Sequence, residues 1–138
     1  MNSENLAIVK RLFDAVEQRD AHVLAEVYAP DIVIREADSL PYGGVYHGHE
    51  GALHHAAAYL KTWDSMQSSQ ERDMQPCFLD AGEHVVALWR QRARKIETGA
   101  TLDLPAVSVY RLHQQRIAES TMYHLDTAQL LRFLGMEA

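Results

Sequence analysis

The hydrophobic period of this chain changes once, near Met74, and that change limits the architectures open to it. Before Met74 apolar residues recur at helical spacing; after it they alternate. A helical half and a period-two half each need a second layer to bury their apolar faces, so helices must pack on a sheet. In the first half, Leu6, Val9, Leu12, Phe13 and Val16 share one face, which predicts a helix over residues 3–19 with Ser3 as N-cap. Asp20 is placed to cap a shorter helix carrying Leu24, Val27 and Tyr28, ended by Pro30. DIVIREAD follows as a strand with Ile32, Ile34 and Glu36 on one side. The stretch SLPYGGVYHG reads as turns, and a third helix is predicted from about Glu50 to Trp63.

In the second half MQPCFLD, HVVALWRQRARKI, ATLDLPAVSVYRL and RIAESTMYHL read as four strands. Short connections around Ala81, ETG and HQQ join them into an antiparallel meander. DTAQLLRFLG closes the chain as a short helix with Gly135 at its C-terminal cap. Helices segregated from an antiparallel sheet make an α+β class, and 138 residues suit one domain over residues 1–138.

Composition excludes more than it assigns. Apolar residues at 47% with 23% charged residues are too apolar for a disordered chain. Thirteen basic against nineteen acidic residues leave −6, the wrong sign for a nucleic-acid binder. No apolar run approaches the ~20 residues of a membrane span, and the charged N-terminal stretch does not resemble a signal peptide. The single Cys77 makes no internal disulfide, so a cytoplasmic location is expected, with Cys77 read as a small buried hydrophobe.

Strand parity then selects the site residues. Val85, Ala87, Trp89, Gln91 and Ala93 alternate with Arg90, Arg92 and Arg94, so the first set should face the helices and the arginines solvent or a partner copy. In the last strand Met122 and His124 share a parity that Asp126 continues, and Glu36 lies on the Ile32–Ile34 face. Two carboxylates and an imidazole can thus converge on one enclosed pocket, where desolvation tunes groups for acid–base work. Each also has a plain structural reading. Asp126 and Gln129 have capping-box spacing, His124 can be a core histidine bonded to backbone, and Glu36 can pair with Arg35 or another cation.

Tyr42 and Tyr46 are expected to line the pocket mouth, with Trp63, Trp89 and Met122 as its apolar wall. His47, His49, His54 and His55 invite a metal reading, but HEGALH has one residue too many for the zinc helix motif. His49 and His54 would stand about 140° apart on a helix, so no metal is assigned.

The segments ENLAIVKRLFDAVEQRD, VLAEVYAPDIVIREA, SLPYGGVYHGHEGAL and IAESTMYHLDTAQLLRFLG, in this order, resemble the SnoaL-like polyketide cyclase family. That family belongs with ketosteroid isomerases, limonene epoxide hydrolases and nuclear transport factor proteins. The resemblance implies a cone-shaped curved sheet wrapped around helices, enclosing a deep pocket, and a homodimer through the outer sheet face. It implies acid–base chemistry without a cofactor on a small hydrophobic carbonyl compound, in a cyclisation, isomerisation or dehydration. An aspartate near the end of the last strand moves the proton in such cyclases, and Asp126 stands at that position, with His124 and Glu36 assisting. The same resemblance admits a non-catalytic binding or dimerisation module, because this fold hosts both. The HQQRI hairpin departs from the aspartate–glycine turn that relatives often carry.

Overall fold

The computed structural model describes residues 3–136, and the cap read for the Ser3 side chain lies outside what it describes. The helical spacing of the first segment becomes α1 (Ser3–Gln18), whose Val9, Leu12 and Phe13 are buried against the sheet. Phe13 meets the edges of Phe78, Trp89 and Tyr110 at ring-centroid distances of 5.2, 6.3 and 6.2 Å. Such aromatic pairs add about 0.5–1.5 kcal/mol beyond the area they bury. The next turn of helix, α2 (His22–Val27), stops three residues before Pro30.

From there the chain is extended. The first strand, β1 (Tyr28–Glu36), begins earlier than the expected Asp31 and contains Pro30. Its pairing is irregular between Tyr28 and Val33, where a residue without an N–H is tolerated. The glycine-rich stretch conceals a further strand, β2 (Gly44–His47), paired antiparallel to β1. Gly43 makes this turn possible, since an added Cβ would lie 2.2 Å from the Ala37 carbonyl oxygen. Next comes α3 (Gly48–Trp63), then a single 3₁₀ turn and α4 (Ser69–Arg72), held by a Ser68–Glu71 capping box.

The meander is as expected: β3 (Cys77–Ala81), β4 (His84–Arg94), β5 (Thr101–His113) and β6 (Arg116–His124), followed by α5 (Thr127–Phe133). The sheet has six strands in the order β2-β1-β6-β5-β4-β3. It is not wholly antiparallel, because β1 runs parallel to β6 and joins β2 to the meander. Both edges stay free, so the sheet does not close into a barrel. No helix among the described residues is long and apolar enough to cross a membrane.

Register sets what faces inward. Trp89 lies opposite Ala106, which lies opposite His124, and Ser108 lies opposite Met122. Along β4 Val85, Ala87, Trp89, Gln91 and Ala93 are all buried. The arginines of the opposite parity are held within the chain in two cases, Arg90 by Asp103 and Arg92 by the Gln70 and Asp73 carbonyls. On the same outer face Leu79, Leu88 and Tyr123 are exposed. Cys77 is exposed rather than buried, because its parity on β3 is that of the outer face.

Candidate functional site

The helices do not fill the concave side of the sheet. A cavity of about 120 Å³ remains between α1, α2, α3 and the inner strand faces. A cavity of ~150 Å³ accommodates benzene, so this one suits a body of about one ring, with more of a ligand reaching the open side. Most of its wall is apolar, including Phe13, Leu24, Trp89 and Met122. Its polar lining consists of Glu36 and His55, Arg19 and Asp20, and the serines Ser108 and Ser120, together with the tyrosines Tyr28, Tyr59 and Tyr110.

Glu36 is placed by β1 parity and is buried, with 2% of its side chain exposed. His55 Nε2 stands 2.9 Å from Glu36 Oε2. An ionised carboxylate only accepts, so this imidazole nitrogen carries the proton and donates it to the bond. His124 Nε2 approaches the other oxygen, Oε1, at 3.7 Å, too far for a hydrogen bond. Glu36 Oε1 and both ring nitrogens of His124 have no hydrogen-bond partner among the described residues. Burial pushes the Glu36 carboxyl upward, but the two imidazoles outweigh it and hold the group below the ordinary carboxylate range. Burial raises the hydroxyls of Tyr28 and Tyr110, and pushes Tyr59 up to about 12, so all three remain protonated donors near neutral pH. Tyr59 donates to Gln91 Oε1 at 2.9 Å.

The structure brings three of the expected residues to this wall and leaves others elsewhere. Trp89 and Met122 line the cavity beside Glu36, and the Trp89 indole donates to Ser108 Oγ at 2.9 Å. His124 sits behind the wall, its ring edge-on to Trp89 at 5.8 Å. Asp126 is not among the lining residues. Its carboxylate caps α5 by accepting the Gln129 N–H at 3.0 Å. Tyr42 and Trp63 do not line the cavity either. Both are fully buried, and the Trp63 indole donates to the Tyr42 hydroxyl at 3.0 Å. Tyr46 donates to the Tyr42 carbonyl and sets its ring edge-on to His55 at 5.1 Å, bracing the imidazole from behind.

His55 is the residue that sequence reasoning placed only in a metal cluster. Its signal was available, because Ala52, His55, Ala56 and Tyr59 have i, i+3, i+4, i+7 spacing and form the cavity face of α3. His49 bonds instead to the Tyr28 carbonyl at 3.0 Å.

A curved α+β sheet holding helices and a cavity on its concave side is the architecture of NTF2-like proteins. One of them, a protein of unknown function from Burkholderia pseudomallei, is 25% identical, with 97% of this chain and 98% of that chain covered and a TM-score of 0.81. Within that class the chain belongs to the SnoaL-like domain family, whose profile matches residues 9–120. TerC, solved in co-crystals with polyporic acid, is similar in fold at 17% identity, over 96% of this chain and 98% of that chain, with a TM-score of 0.81. So is a candidate polyketide cyclase from Sinorhizobium meliloti, at 20% identity over 85% and 94%, with a TM-score of 0.66. Among curated proteins none matches the chain.

Proposed function

We propose that the protein binds a small hydrophobic carbonyl compound in this cavity and moves a proton on it by general acid–base catalysis, without a cofactor. The observation that carries the reading is the Glu36–His55 pair: an ionised carboxylate, 2% exposed, bonded to an imidazole in a wall that is otherwise mostly apolar. With Nε2–H given to Glu36, a neutral His55 keeps a lone pair on Nδ1. That nitrogen takes the proton from carbon beside the ligand's carbonyl, and the Glu36 carboxylate stabilises the imidazolium that results. A wall tyrosine other than Tyr59, whose hydroxyl proton goes to Gln91, donates to the enolate oxygen as charge develops there, and the proton returns at another atom. Cyclisation, isomerisation and dehydration all begin with this step. TerC's co-crystallisation with polyporic acid and the description of the Sinorhizobium protein support an organic ligand as the thing to test.

Asp126 favours a second reading. Its carboxylate is engaged as a helix cap, as a non-catalytic binding module of this fold would have it. Solvent-deuterium incorporation beside the carbonyl of indanone, followed by NMR, separates the two. Incorporation above the buffer rate, lost in His55→Gln and Glu36→Gln and kept in Asp126→Asn, is expected of the enzyme. Incorporation at the buffer rate with intact binding leaves the module. The exposed outer-face residues Leu79, Leu88 and Tyr123 support a homodimer through that face.

A further inference from the structure

At the end of α1 the chain takes a left-handed residue, and that residue is Arg19, at φ 60°. Asp20 N–H bonds the Ala15 carbonyl at 2.8 Å and Arg19 N–H the Val16 carbonyl at 3.2 Å, a Schellman-type ending that glycine usually occupies. Glycine would sit there without strain, whereas arginine carries a long cationic side chain into the same position. That side chain is only 16% exposed and lines the cavity where the exposed Asp20 and Ala21 mark its mouth.

The guanidinium is held on three sides. Nε donates to Asp64 Oδ1 at 3.0 Å, Nη1 to the Val16 carbonyl at 2.9 Å and Nη2 to Gln67 Oε1 at 2.6 Å. Five N–H groups are available, so one remains on each terminal nitrogen. Asp64 also accepts from Arg72 at 3.3 Å, so one carboxylate answers two guanidiniums. Asp20, the acid on the same rim, accepts the His22 N–H at 3.2 Å. The result is a guanidinium fixed by three partners, with two N–H donors left over, at the mouth of an apolar cavity.

We infer that Arg19 is a ligand-binding residue that selects organic anions, with a carboxylate or phenolate oxygen at the mouth and an apolar body inside. This rests on the cavity being the ligand site, as proposed above. The anionic end belongs at the mouth because the Glu36 carboxylate on the inner wall repels it. Preorganisation by three partners lets the guanidinium bind an oxygen without first being ordered.

Binding of hydrocinnamate and of hydrocinnamyl alcohol, followed by calorimetry and by tryptophan fluorescence, to which Trp89 in the wall contributes beside the buried Trp63, tests it. Wild-type protein should bind the acid at least about tenfold more tightly than the alcohol. Arg19→Gly should abolish that preference and leave the affinity for the alcohol within about twofold, because glycine suits the left-handed position. A residue that merely staples α1 to the segment after α3 would on removal weaken both ligands together, and that result overturns the inference. Equal affinity of the wild-type protein for acid and alcohol also overturns it, whether or not Arg19→Gly folds, and leaves the cavity reading standing. If neither compound binds, both readings fall.

Discussion

Replacing Glu36 by glutamine tests the centre of the site through stability, independently of any substrate. The side chain keeps its shape and offers His55 a neutral acceptor, but the charge is gone. What is lost is a charge-assisted hydrogen bond of 2.9 Å between groups exposed by 13% and 2%, together with the weaker attraction of His124 at 3.7 Å. A hydrogen bond to a charged group contributes about 1.5–3 kcal/mol, and relief of the carboxylate's desolvation returns part of it, so a loss of about 1–2 kcal/mol near neutral pH is expected. At this chain length that lowers Tm by roughly 3–8 °C. The pH dependence gives a sharper check. The folded-state pKa of Glu36 lies below the ordinary value, so its contribution is complete above the unfolded pKa of about 4.3 and disappears as pH falls through the folded one. Glu71 and Glu119 are also held low by their hydrogen bonds to Ser68 and Arg111, but both proteins keep them and they cancel in the difference. Urea unfolding of wild type and Glu36→Gln, at equal m and between about pH 5 and pH 3, should show a gap that closes toward the acid end. A gap that is absent at pH 5, or that widens as pH falls, would refute the argument that the imidazoles keep this carboxylate ionised.

Tyr42→Phe removes the acceptor for the Trp63 indole in a fully buried setting, so it should cost about 1–3 kcal/mol by chemical denaturation, with little effect on ligand affinity since neither ring lines the cavity. Gln114 and Gln115 form the β5–β6 turn with φ of 51° and 63°, the left-handed values that asparagine and glycine favour. The pair Gln114→Asn with Gln115→Gly should therefore raise stability by about 1–2 kcal/mol, read as a higher Tm without loss of ligand binding. On the homodimer proposed above, wild-type protein should scatter light as a dimer at micromolar concentration and Tyr123→Lys, on the outer face, as a monomer; a wild-type monomer would remove that proposal. A dimer unchanged by the substitution would move the contact off this face.

Strand parity was enough to turn Glu36 and His124 inward, because β1 and β6 hold a period of two as far as those residues. The same count fails at Asp126 for a local reason. β6 ends at His124, and by Asp126 the backbone has turned to φ −144° and ψ 88°, where the side chain reaches forward to the Gln129 N–H. Alternation carries no information beyond the last residue of a strand, whereas the capping spacing of Asp126 and Gln129, visible in the same letters, is a local signal and did hold. The parallel pairing of β1 with β6 escaped because it joins segments some 85 residues apart, Ile34 with Ser120, and no periodicity reports a partner. Tyr42 and Trp63 escaped for a related reason. Tyr42 reads as a ring suited to a wet pocket mouth and Trp63 as apolar pocket wall, and only their contact shows that one ring's polar atom satisfies the other's in a dry core. His55 lay on a legible helical stripe, but its meaning came from the strand on which α3 packs. A histidine on an apolar face becomes chemically specific when packing sets a buried carboxylate beside it. In this chain that depends on residue 36 of a strand meeting residue 55 of a helix at 2.9 Å.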